Sequence, residues 1–176
     1  MKAYTLIEVM IAAVLLAIIL FGGTTLFYQN LKSSGLSDVD INLNSSLRDV
    51  LTSMEKSLRY GQVSTVGLGS RQDCLSAGTS GYSGDTLEVF DQDGLGITYS
   101  MLTDKVASTA ALTSQVSYLS PDNIKIDRLN FTWYCQGNAS DKISIEIDAS
   151  STVLGSGLNV TRSVSSEINL LNSGLN

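Results

Sequence analysis

Residues 4–23 read YTLIEVMIAAVLLAIILFGG, and the rest of the chain is read outward from this stretch. Between Val9 and Phe21 there is no charge, and Leu, Ile, Val, Ala and Met fill nearly every position. As a helix, Leu6 to Phe21 extends about 24 Å at roughly 1.5 Å per residue. Continued to Tyr28, interrupted only by Gly and Thr, it can cross a hydrocarbon core of roughly 30 Å. The one carboxylate in the run is Glu8. Alone in hydrocarbon it favours neutralisation or a cationic partner. In a cleaved signal peptide the small-residue cleavage site follows the apolar core. Here the small residue, Ala3, precedes it, so the segment is expected to be retained.

The 176 residues suffice for one domain carried on such an anchor. A net charge of −6, with 11 Lys and Arg, gives no broad electrostatic footprint for nucleic acid. The chain has no His, which removes the commonest general base and the commonest metal ligand. Its two cysteines, Cys74 and Cys135, are too few for a zinc site built from thiolates alone. No grouping of residues resembles a catalytic site, so the expectation is a non-enzyme without a metal or other cofactor.

Lys2-Ala3 followed by Tyr4-Thr5-Leu6-Ile7-Glu8-Val9 resembles the start of type IV pilins and of the related pseudopilins of type II secretion. In that family a prepilin peptidase cuts after a small residue, usually Gly. The new first residue, usually Phe, is N-methylated, and a glutamate stands fifth. By this resemblance the cut falls between Ala3 and Tyr4, Tyr4 is the methylated terminus, and Glu8 is the fifth residue. Ala stands here for Gly, and Tyr for Phe. The resemblance further implies that Glu8 meets the terminal amine of a neighbouring subunit. Such a contact aligns subunits more than it stabilises them. It also implies an α+β fold, with a long N-terminal helix packed on an antiparallel sheet.

The organisation expected from these readings is a leader over 1–3 and an apolar membrane or filament-core helix over 4–30. An amphipathic helical half follows over 31–60, then a head over 61–176. Gly22-Gly23 is expected to weaken the helix by about 1 kcal/mol per glycine and to break it by a local melt, or else to pack closely against another helix. Leu43, Leu47, Val50, Leu51, Met54 and Leu58 form one apolar stripe at helical spacing. Glu55 and Arg59 stand four apart in the favourable order. Gly61 reads as the helix stop.

Residues 61–85, rich in Gly and Ser, read as a connector loop with room for one short strand. The period then changes to two, and one antiparallel sheet is expected over 86–171. Thr86–Asp91 and Leu95–Leu102 read as a hairpin around Asp93-Gly94. Asp91-x-Asp93-Gly94 is read as this turn, because the remaining ligand positions of a calcium loop are missing. Residues 103–123 are less clear, with a short strand at Val116–Leu119. Ile124–Cys135 is the strongest strand region. Its phase slips between Ile126 and Leu129, which suggests a bulge at Asp127-Arg128. In Lys142–Asp148, Ile143, Ile145 and Ile147 face inward, and a last strand runs within 158–170. An even cysteine count in an exported domain points to a Cys74–Cys135 disulfide, the alternative being two separate buried thiols.

The function these readings imply is a structural subunit of a type IV pilus or pilus-like filament, serving adhesion, motility or DNA uptake. Such a subunit spans the membrane once before assembly and lies on the cell surface after it. Its partners are further copies or other pilins, the prepilin peptidase, and an inner-membrane platform with its ATPase. The alternatives are a pseudopilin of type II secretion and a single-span surface binding protein that does not polymerise. A membrane-anchored hydrolase is disfavoured by the lack of His and of a nucleophile motif.

Overall fold

A computed structural model describes residues 5–91, 93–135, 141–153 and 157–171. The chain forms two compact units, Met1–Asp38 and Val39–Asn176. Helix α1, Leu6–Tyr60, supplies all the regular structure of the first unit and enters the second. The remaining elements are β1 (Gln62–Val66), α2 (Arg71–Ala77), β2 (Tyr82–Gly84), β3 (Leu87–Phe90), β4 (Gly96–Leu102) and β5 (Lys105–Ala110). They are followed by β6 (Val116–Tyr118), β7 (Lys125–Tyr134), β8 (Lys142–Thr152) and β9 (Asn159–Asn169). The fold class is therefore α+β, as the sequence implies.

The strands form two antiparallel sheets, where one was expected. A five-stranded sheet has the order β1-β3-β4-β5-β6, and a four-stranded sheet has the order β2-β7-β8-β9. The expected connector loop is largely ordered: it contributes β1 to one sheet, β2 to the other, and α2 between them. The inner edges meet at two glycines. A Cβ on Gly84 would stand 2.6 Å from the Gly67 backbone nitrogen, closer than any side chain tolerates. The Gly67 amide donates to Thr86 O at 2.8 Å across the same crossing.

The helical stripe is buried as its spacing predicts: Leu43, Leu47, Val50, Leu51, Met54 and Leu58 join one core with residues of both sheets. Gly61 does end α1, for a steric reason. A Cβ there would approach Val89 Cγ1 to 2.4 Å and Ser57 O to 2.8 Å. Glu55 takes a hydrogen bond from the Ser166 hydroxyl at 2.6 Å, rather than the expected pairing with Arg59.

Between Ile126 and Arg128 the β7–β8 register shifts, which leaves Asp127 as the extra residue of a bulge. This is the bulge that the phase slip suggests. Ile126, Leu129, Phe131 and Trp133 all lie in the core, because the bulge returns both phases to one face. On β8, Ile143, Ile145, Ile147 and Ala149 are buried. Strand β5 lies in the stretch the sequence left unclear. It follows a two-residue turn at Thr103-Asp104, where both residues have positive φ, 50° and 59°.

Candidate functional site

The start of α1 is the first place to look for function. Thr5 O accepts the Glu8 amide at 3.0 Å and the Val9 amide at 3.3 Å, opening the helix. Glu8 therefore lies in the first turn, where the positive end of the helix dipole favours a carboxylate. Its side chain is exposed, and no hydrogen bond or ion pair from the described residues reaches it. Ala3 and Tyr4, the expected processing and methylation positions, lie outside the described residues.

From Leu6 to Leu31 the large apolar side chains are exposed to an unusual degree, with Leu6 at 80% and Phe21 at 76%. A face this large has no counterpart on an ordinary soluble surface. Among the described residues α1 is the one helix long and apolar enough to cross a membrane.

Helix α1 continues through Gly22 and Gly23 in the isolated chain. Among the described residues no atom beyond the helix's own backbone lies within 4 Å of a Cβ built at either glycine. The next two residues reinforce the weak point. Thr24 Oγ1 donates to Phe21 O at 3.0 Å, and Thr25 Oγ1 donates to Gly22 O at 2.8 Å. These bonds satisfy the hydroxyls within the helix, as a non-aqueous surrounding requires. The sequence reading missed them, and the signal was the order Gly-Gly-Thr-Thr.

In the second unit, α1 is tied to β9 at two points and to Leu171, just beyond it, at a third. Arg162 forks onto Asp40, with Nη2 at 2.7 Å from Oδ2, and this hydrogen-bonded pair holds the Asp40 carboxyl below its usual range. Ser166 donates to Glu55, and Arg59 O accepts the Leu171 amide at 3.2 Å. On the outer face of the sheet, Asp148 is also held low, first by the Ser163 hydroxyl at 2.6 Å and then by Arg128 at 2.7 Å. Burial raises the Tyr99 phenol, against the opposing influence of Ser57.

The Cys74–Cys135 disulfide forms, fastening α2 to the end of β7. Arg71, at the start of α2, adds a second fastening. Its guanidinium lies 2.7 Å from Asp141, whose side chain is wholly buried. Asp91 Oδ1 accepts the amides of Asp93 and Leu95 at 2.9 and 2.8 Å, the geometry of a turn closed by its own aspartate. No group of three or more His, Cys, Asp or Glu among the described residues is placed to hold a metal.

No protein-family model, curated protein or solved structure matches the chain. The class of protein defined so far is an α+β head carried on one long apolar helix that qualifies as a membrane span.

Proposed function

We propose that this chain is a structural subunit of a type IV pilus or pilus-like filament and assembles through α1. The observation that carries the reading is Glu8: a carboxylate in a helix otherwise apolar to Phe21, with no partner among the described residues. A neighbouring subunit's N-terminal amine, freed by cleavage before Tyr4, supplies the missing cation. The exposed apolar face is solvated by lipid before assembly and by other copies of α1 after it. Packing and charge alignment, rather than burial from water, then drive association. The head is displayed outside this helical core. The subunit has no catalytic role, and its processing and assembly fall to a prepilin peptidase, a membrane platform and an ATPase.

Intact-mass and N-terminal peptide measurements on material sheared from producing cells test the reading directly. The expected chain begins at a methylated Tyr4. A chain that still carries Met1–Ala3 would refute the processing step and favour an unpolymerised single-span protein. In the same cells, Glu8→Ala is expected to abolish or misregister filaments, while Trp133 fluorescence shows a folded head. Normal filaments from that variant would remove Glu8 from the mechanism.

A further inference from the structure

Among the described residues, β6 and β9 end the two sheets on the sides away from Gly67 and Gly84, where β1 and β2 meet. Strand β9 is 11 residues long and pairs with β8 without a register shift. Its ladder alternation is fixed at both ends, where Leu170 N donates to Asp141 O and Val153 N donates to Leu158 O. The even-numbered residues of β9 therefore bond to β8. The amides and carbonyls of Thr161, Ser163, Ser165, Glu167 and Asn169 point away from it, and none has a backbone partner among the described residues.

On β6 the same reasoning applies. Leu119 N donates to Val106 O and Ala110 N donates to Gln115 O, so Val116 and Tyr118 present their backbone groups outward. Their side chains are 42% and 52% exposed, with Leu112 nearby in sequence at 78%. Neither edge carries the proline, bulge or outward-facing lysine that commonly blocks edge pairing.

We propose that β6 of one copy adds to the free edge of β9 on the next, extending the four-stranded sheet across the subunit boundary. The contact is heterologous, so along a filament it repeats from copy to copy with every helix oriented alike. Pairing β9 with another β9 about a two-fold axis would instead reverse the helix direction between partners. Charge favours the heterologous arrangement. Beside β9 runs a cleft of about 400 Å³, lined by Arg48, Thr52, Glu55 and Ser165 among others. Lys56 and Arg59 continue it, so Arg48, Lys56 and Arg59 there outnumber the carboxylates of Glu55 and Glu167, and Glu167 is already paired with Lys142. At the Tyr118 end of β6, Lys105 stands over the Tyr118 ring and pairs with Asp122, and Asp104 precedes it in the chain, so two carboxylates there accompany one lysine. Two rungs of backbone pairing are weak alone. Stems held side by side raise the local concentration enough to form them.

The proposal deepens the filament reading and rests on it for the common orientation of copies. Its test uses full-length chains in producing cells, mildly oxidised, with Val116→Cys combined in one chain with Ser163→Cys, Ser165→Cys or Glu167→Cys. One of the three combinations is expected to give a ladder of covalent multimers, at least tenfold above any single-cysteine chain. The combination that reacts reports the register. Efficient dimers from Ser165→Cys alone would overturn the proposal in favour of two-fold pairing. Filaments without a ladder in any combination would overturn the edge contact and leave the filament reading standing. A ladder confined to membranes, with no filaments, would support the contact and refute the filament. Loss of both ladder and filaments would refute both. Where Val116→Cys/Ser163→Cys or Val116→Cys/Glu167→Cys is the reactive combination, adding Ser165→Pro removes an outward amide while sparing the bonds to β8. A tenfold loss of ladder is expected with Ser165→Pro and none with Ser165→Ala, at unchanged thermal unfolding. An unchanged ladder with Ser165→Pro would overturn backbone pairing.

Discussion

Breaking the Cys74–Cys135 bond is expected to lower the stability of the head by about 4 kcal/mol. The two residues are 61 apart in sequence, and closing a loop of that length removes roughly this much conformational free energy from the unfolded chain. Cys74 is wholly buried and Cys135 nearly so, so replacement of both by Ala removes the cross-link without exposing a new polar group. With an unfolding entropy of about 2.1 cal/mol/K per residue over positions 39–176, the midpoint falls by about 14 °C. The assay is urea and thermal unfolding of the full-length protein in detergent, followed by fluorescence. Trp133 is the only tryptophan, and its carbonyl lies 3.2 Å from Cys74 Sγ, so the signal reports the fastened region. The urea slope is expected to rise, because the uncross-linked unfolded chain exposes more surface. A loss below about 1 kcal/mol with an unchanged slope would refute the reasoning. It would mean that α2 and β7 stay together in the unfolded chain, or that the bond adds nothing to their packing.

Two further perturbations follow from the ties in the head. Arg71→Ala leaves the buried Asp141 carboxylate without its guanidinium, and an expected cost of about 3 kcal/mol is read from urea midpoints. A double change of Arg71 and Asp141 to Ala should cost less than the single one. The Asp40–Arg162 tie is sensitive to acid. Asp40 is held below its ordinary value of 3.8, so its contribution is full above that pH and is lost as pH falls through the lowered value. Hydrogen exchange should show amides near Val39–Leu43 losing protection there, and Arg162→Gln should abolish that acid step.

How much was legible depended on whether the deciding contact was local. The stripe from Leu43 to Leu58 was readable because helical burial repeats every three or four residues. The Asp127 bulge was readable because two apolar phases collide in one strand. The division into two sheets was not. It depends on Gly67 and Gly84 meeting through space, and a Gly-rich stretch announces a close approach without naming what approaches. Strand β5 was hidden because its hairpin turn uses Thr103-Asp104 at positive φ, where Asn-Gly or Asp-Gly is the usual signal. Of the candidate site, Glu8 was visible as the one charge in an apolar run. The Arg162–Asp40 and Ser166–Glu55 ties were invisible, because they join residues 122 and 111 positions apart.

The two halves of α1 meet different physical demands, and their sequences divide accordingly. Past Val39 the helix needs one apolar stripe, and its other faces carry Arg48, Asp49, Ser53 and Lys56 toward water. Up to Phe21 it is apolar on every face, which water does not stabilise but lipid or identical neighbours do. In such surroundings each polar group must be satisfied nearby. Thr24 and Thr25 are satisfied within the helix, by carbonyls one turn back. Glu8 has no such recourse among the described residues. Under the filament reading proposed above, a second chain supplies what it lacks, and position 8 is then the place where membrane residence and assembly compete.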